Sequence, residues 1–286
     1  MARLQVRSVE DLANFLEYAA IAKAGTPLGL DSLGKISTEF TDAESHMVSL
    51  ALTVLNKRRA QLGEKYPFRV SNEYILSPRG VRDSFYYLFV CLTPRGPVAR
   101  SPELGEAETG SIFESLTQQC FTDFFGAGTA TLNFGYNTDP TRPGDFDSAV
   151  RWAADRIGVP LGAGYRQPRR KDGGVDLFVW KTFADRFPGN VLMLMQCTVM
   201  DDFVNKISDI DKRLWASWLS SDIDPVISLA IPGIVTDLQV WAEINTRGML
   251  FDRIRLTTLS TNTPTLRPGE EAYFSSFEQR LERLFQ

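Results

Sequence analysis

Residues 171–199 read KDGGVDLFVWKTFADRFPGNVLMLMQCTV. Two apolar runs, DLFVWKTF and VLMLMQCTV, flank ADRFPGN, whose Pro-Gly-Asn reads as a tight turn between antiparallel neighbours. The second run is apolar on both faces, as a central strand should be. One polar side chain, Gln196, interrupts it. An unsatisfied buried amide costs on the order of 1–3 kcal/mol, so Gln196 is expected to have a partner or a ligand. Period-two alternation sets Asp176, Phe178 and Trp180 on one face of the first strand, and Gln196 and Thr198 on one face of the second. Pairing across the turn then brings Asp176 and Gln196 together. A carboxylate oxygen beside an amide oxygen is hard-ligand chemistry suited to magnesium or manganese.

Upstream, SIFESLTQQCFTDFFG reads as an amphipathic helix ended by Gly126, and SAVRWAADRIGV as another followed by a glycine-rich loop. Glu114 lies at the margin of the first helix's apolar face, close in angle to Phe121, where it can supply a second carboxylate to the sheet edge. Downstream, VNKISDIDKRLWASWL has helical spacing with Trp215 and Trp218 as core anchors, and VISLAIPG is a buried strand ended by Pro232. MLFDRIRLTTLS is a further strand candidate, on which Arg253 and Arg255 would share a face, and SSFEQRLERLF a short amphipathic helix. The order fits an α/β fold with a central mixed sheet flanked by helices.

The N-terminal region differs. VEDLANFLEYAAIAKA and DAESHMVSLALTVLNKRRAQL are helical, the latter with Asp42 as a candidate cap; YPFRVSNEYIL is extended, and DSFYYLFVCL reads as a short buried helix. Between Thr93 and Gly110, TPRGPVARSPELGEAETG is too rich in proline, glycine and charge to pack a core and reads as a connection. The expected division is a mainly helical domain over 1–104 and the α/β domain over 105–286.

Composition narrows the function classes. The 286 residues are 43% hydrophobic and 23% charged, as in a globular protein with a substantial core. A net charge of −4 argues against a surface that clings everywhere to nucleic acid, so any such contact must be local. Arg166, Arg169, Arg170 and Lys171 in YRQPRRKDGG supply a local patch just before Asp176, suited to phosphate-backbone contacts. Cys91, Cys120 and Cys197 have neither zinc spacing nor an even count and read as buried free thiols. His46, the single histidine, borders an apolar helical run and reads as structural, which leaves little room for a histidine-based triad or metal site. With neither a signal-peptide pattern nor an apolar run of membrane-spanning length, a cytoplasmic location without membrane contact is expected.

A helix with an acidic residue, then Gly-x-Asp opening a strand, then Glu or Gln on the following strand resembles the PD-(D/E)XK superfamily, to which restriction endonucleases belong. The resemblance spans roughly residues 111–219, and FESL, KDGGVD, QC and a lysine further on also resemble restriction-endonuclease-like proteins of bacterial anti-phage defence. It implies a magnesium-dependent endonuclease acting on DNA. Asp176 in GGVD and Gln196 in QCT would hold magnesium or manganese, with Glu114 in IFESL completing the set. The family's lysine stands two residues after the Glu or Gln, a place taken here by Thr198. Lys181 has the wrong strand parity, and Lys206, expected on the next helix, is the better candidate to position the nucleophile. The substitution at Thr198 and the acidic pI keep a second reading open, a catalytically inert nuclease-fold subunit that binds DNA or a partner. The N-terminal helices, carrying LNKRRAQLGEKY, would dock a helicase, ATPase or sensor, and a homo-oligomer stays open too.

Overall fold

The computed structural model describes residues 4–79, 81–93, 106–135, 139–185 and 189–286. The chain divides into two units, Met1–Gly105 with Asn262–Gln286, and Glu106–Thr261. The expected connection lies, over residues 94–105, outside the described residues, as do residues 186–188 of the expected tight turn.

In the first unit, helix α1 (Val9–Ala22) starts at Ser8, whose hydroxyl accepts the Asp11 N–H, and buries Leu12, Phe15, Leu16 and Ala19. Strand β1 (Leu28–Gly29) leads into α2 (Leu30–Phe40). Asp42 does not cap the next helix. Its Oδ1 accepts the Val6 N–H at 2.7 Å, and α3 (Met47–Leu62) begins beyond a turn. Strands β2 (Arg69–Val70) and β3 (Tyr74–Leu76) join β1 in a small antiparallel sheet, and α4 (Phe85–Leu92) is buried along its length. At the centre sits a buried charge, Glu17, whose Oε1 pairs with Arg58 at 3.1 Å and accepts the Tyr66 and Tyr86 hydroxyls at 2.8 and 2.7 Å.

The second unit opens with α5 (Glu106–Cys120), β4 (Thr129–Asn133) and α6 (Phe146–Ile157). Asp145 caps α6, and left-handed Gly158 ends it. Strands β5 (Leu177–Lys181) and β6 (Val191–Cys197) form the expected antiparallel pair, followed by α7 (Lys212–Trp218), β7 (Val226–Ala230), α8 (Leu238–Asn245), β8 (Met249–Phe251) and α9 (Arg253–Leu259). The sheet runs β4-β5-β6-β7-β8, antiparallel through β6 and parallel beyond it, so the mixed sheet flanked by helices is present. One face packs Phe178, Trp180, Leu192 and Leu194 against α6, α7 and α8. Alternation leaves Leu177, Val179, Met193 and Met195 for the other face, where α5 lies on β6.

TATLN, too short and polar to stand out in the sequence, forms edge strand β4. Other elements depart from what the sequence predicts. MLFDRIRLTTLS is a strand only as far as Phe251. Asp252 Oδ1 accepts the Arg255 N–H and starts a helix, and Arg253 is buried with its Nε donating to the Pro232 carbonyl. VNKISDIDKRLWASWL is not one helix, because Asp211 caps α7 and leaves residues 206–209 as a separate 3-10 turn. The chain then returns to the first unit as α10 (Pro268–Leu284), instead of staying within a 105–286 domain. The cause is aromatic packing: Phe277 lies 6.3 Å from the Tyr18 ring and Phe285 5.7 Å from Phe15.

Candidate functional site

The approach to β5 is shaped by two glycines. Gly173 and Gly174 have φ of 63° and 80°, and a Cβ on Gly174 would lie 2.2 Å from the Asp209 carbonyl oxygen. The loop is thereby pressed against the 3-10 turn Lys206–Asp209. Asp172 Oδ1 accepts the Gly174 N–H, the Gly173 carbonyl accepts Trp215 Nε1, and Arg142 Nη2 reaches the Lys171 carbonyl.

Asp176 enters the sheet with its backbone fully engaged. Its N–H donates to the Met195 carbonyl, and its own carbonyl accepts the N–H groups of Phe134 and Gly135. Its side chain is 6% exposed, and Oδ2 accepts Gln196 Nε2 and the Cys197 N–H, each at 2.7 Å. Burial pushes this carboxyl well above the usual range, the charge of Glu114 adds to the rise, and Arg170 acts against it. Glu114, on α5, is raised to about 7, first by burial and then by Asp172. The structure thus joins Gln196 to buried Asp176 by a hydrogen bond and sets the Glu114 carboxyl within electrostatic reach of Asp176.

Two oxygens there lack partners. Glu114 Oε2 and Gln196 Oε1 are buried and accept no hydrogen bond. Buried unpaired acceptors are costly, and both are hard oxygen donors. They fit a magnesium or manganese ion by donor type. Among the described residues, no group of three or more His, Cys, Asp or Glu side chains converges as a metal cluster. A cation here would depend on the Gln196 amide oxygen and on water to fill its shell.

Lys206 begins the 3-10 turn, and its Nζ lies 3.7 Å from Asp209 Oδ2. The same oxygen is 3.1 Å from Arg170 Nη2. Asp209 therefore gathers two cations, and the charge of Arg170 also acts on Asp176. Two residues after Gln196, buried Thr198 accepts the Met200 N–H through Oγ1 and closes a turn. Of the basic run, Arg166, Arg169 and Arg170 line a cavity of about 640 Å³, while Lys171 is exposed beside it.

Asp209 and Asp172 carry electrostatic weight that the sequence reading did not assign to them. Asp209 was visible as an i,i+3 partner of Lys206, but its contact with Arg170 requires the fold. Comparison with protein-family models, curated proteins and solved structures returned no match.

Proposed function

We propose that the chain is a metal-dependent nuclease that hydrolyses DNA phosphodiester bonds, with a restriction-endonuclease-like second unit, acting in bacterial defence against phage or foreign DNA. The observation that carries this reading is the junction of buried Asp176 with Gln196, joined at 2.7 Å, with the Glu114 carboxyl acting on Asp176. Asp176, Gln196 and Glu114 would hold magnesium or manganese. The chemistry such a cation supplies when bound is activation of water and neutralisation of charge on the phosphate. Around it, Cys197 N–H and Gln196 Nε2 fix the Asp176 carboxylate, so its orientation is set before substrate arrives. Arg170 and Lys206, gathered by Asp209, offer positive charge for the scissile phosphate and for the charge that develops on it.

A second reading, an inert subunit of this fold that binds DNA or a partner protein, is favoured by Thr198. Its hydroxyl is neutral and already used in a turn. The two part in one assay, in which purified protein is incubated with plasmid, linear and single-stranded DNA, with magnesium, manganese or chelator. Cation-dependent cutting that disappears in Asp176→Ala supports the nuclease; binding without cutting under every condition supports the inert subunit.

A further inference from the structure

A cavity of about 640 Å³ opens beside the proposed metal site, within the usual size range of small-ligand pockets. Its walls carry Arg166, Arg169, Arg170, Lys212 and Arg247, drawn from the approach loop, the start of α7 and the turn between α8 and β8. On a chain with net charge −4, such a convergence is not what composition alone would give. Two acids, Asp209 and Asp211, share the wall, and both are engaged. Asp209 holds Arg170 and Lys206, and Asp211 Oδ1 accepts the Arg213 and Leu214 N–H groups at the head of α7. Among the described residues, Arg169 and Lys212 form no ion pair.

One donor in the cavity wall lacks a partner. Arg166 Nε is buried and makes no hydrogen bond, a state that an anion would relieve. The wall is also preset. The Arg166 carbonyl accepts Trp218 Nε1 at 2.7 Å, and Arg247 is fixed between Ser208 Oγ and Glu243 Oε1, each at 3.1 Å. With the Arg170 guanidinium held by Asp209 and that of Arg247 by Ser208 and Glu243, the donors set around this nucleotide-sized space match the chemistry of phosphate esters.

We propose that this cavity is a phosphate-binding subsite, seating a phosphate of one nucleotide unit among Arg166, Arg169, Arg170, Lys212 and Arg247. For the source of that phosphate, a DNA strand leading to the metal site, it rests on the nuclease reading. The alternative source of the same chemistry is a free nucleotide. Arg170 links cavity and site, since it lines the one and its charge bears on Asp176 in the other.

The test is equilibrium binding in chelator, where no cleavage interferes, using a short fluorescent single strand and, in competition, a deoxynucleoside monophosphate. Arg169→Gln and Lys212→Gln remove exposed cations that leave the fold intact, which circular dichroism verifies. In the double variant we expect binding weakened at least tenfold and a salt slope shallower by about one unit per cation removed. Strand binding lost in the double variant identifies a strand subsite, whereas monophosphate binding alone, lost in the same way, identifies a free-nucleotide subsite. Unchanged affinity and salt slope in the double variant, or no anion binding by the parent, would overturn the subsite. Intact binding without cutting in magnesium or manganese would count against the nuclease reading and leave the subsite standing.

Discussion

Gln196 Nε2 donates to Asp176 Oδ2 at 2.7 Å while Gln196 Oε1, on the same amide, is buried without a partner. One end of the side chain fixes the carboxylate and the other offers an oxygen. Gln196→Glu removes the donor and sets a third acidic group beside Glu114 and Asp176. In chelator at pH 8, chemical denaturation should show a loss of about 2–3 kcal/mol. Manganese should recover most of it, because a dication reverses the repulsion.

Stability should fall as pH rises in metal-free protein. Glu114 moves from 4.5 to about 7 on folding and Asp176 is raised as well, so the folded state holds more protons than the unfolded chain across that window. The contribution is intact below the ordinary carboxylate range and is lost as pH climbs through about 7. Thermal melts between pH 5 and 8 should show this slope, and Glu114→Gln should flatten it by on the order of 2–3 kcal/mol at the alkaline end. A Glu114→Gln melt that tracks the parent across the range would refute the assignment.

Arg170→Gln should slow cleavage more than Lys206→Gln. Both cations meet Asp209, Arg170 at 3.1 Å and Lys206 at 3.7 Å, and Arg170 also acts on Asp176. Loss of one preorganised charge at a phosphoryl site costs about 10²–10³ in rate. Single-turnover rates at saturating DNA give the comparison directly, and the reverse order would return Lys206 to the role expected for it.

Gly174→Ala should destabilise the chain by about 2–4 kcal/mol, since φ of 80° and a Cβ 2.2 Å from the Asp209 carbonyl leave it no unstrained place. Urea denaturation measures the loss. Because the displaced backbone carries Asp209, cleavage should fall as well, even at temperatures where the variant is fully folded.

In the first unit, Arg58→Met should cost about 3–5 kcal/mol by leaving the buried Glu17 carboxylate without its cation. Adding Glu17→Gln in the same chain should restore part of that loss. Additive losses in the double-mutant cycle would contradict a coupled pair.

The junction of Asp176 with Gln196 was legible because strand alternation is local and the two strands are consecutive antiparallel neighbours, with Leu177 opposite Met195. Glu114 followed from helical periodicity. Arg247 and Asp209 were not legible, since they reach the site through connections around parallel strands β6, β7 and β8, whose register no short turn sets. Arg253 was misread because the capping signal of Asp252 lay inside an apolar, β-branched run. α10 was assigned to the wrong unit because amphipathic spacing shows that a helix has an apolar face, not which core covers it.

The most direct measurement is anomalous diffraction from a crystal of the chain soaked in manganese at pH 8, where the carboxyls of Glu114 and Asp176 are most readily ionised. The expected result is an anomalous peak within coordination distance of an Asp176 oxygen, Gln196 Oε1 and Glu114 Oε2, lost in Asp176→Ala. Manganese bound elsewhere on the chain, with these three oxygens left without it, would contradict the oxygen-ligand cation site.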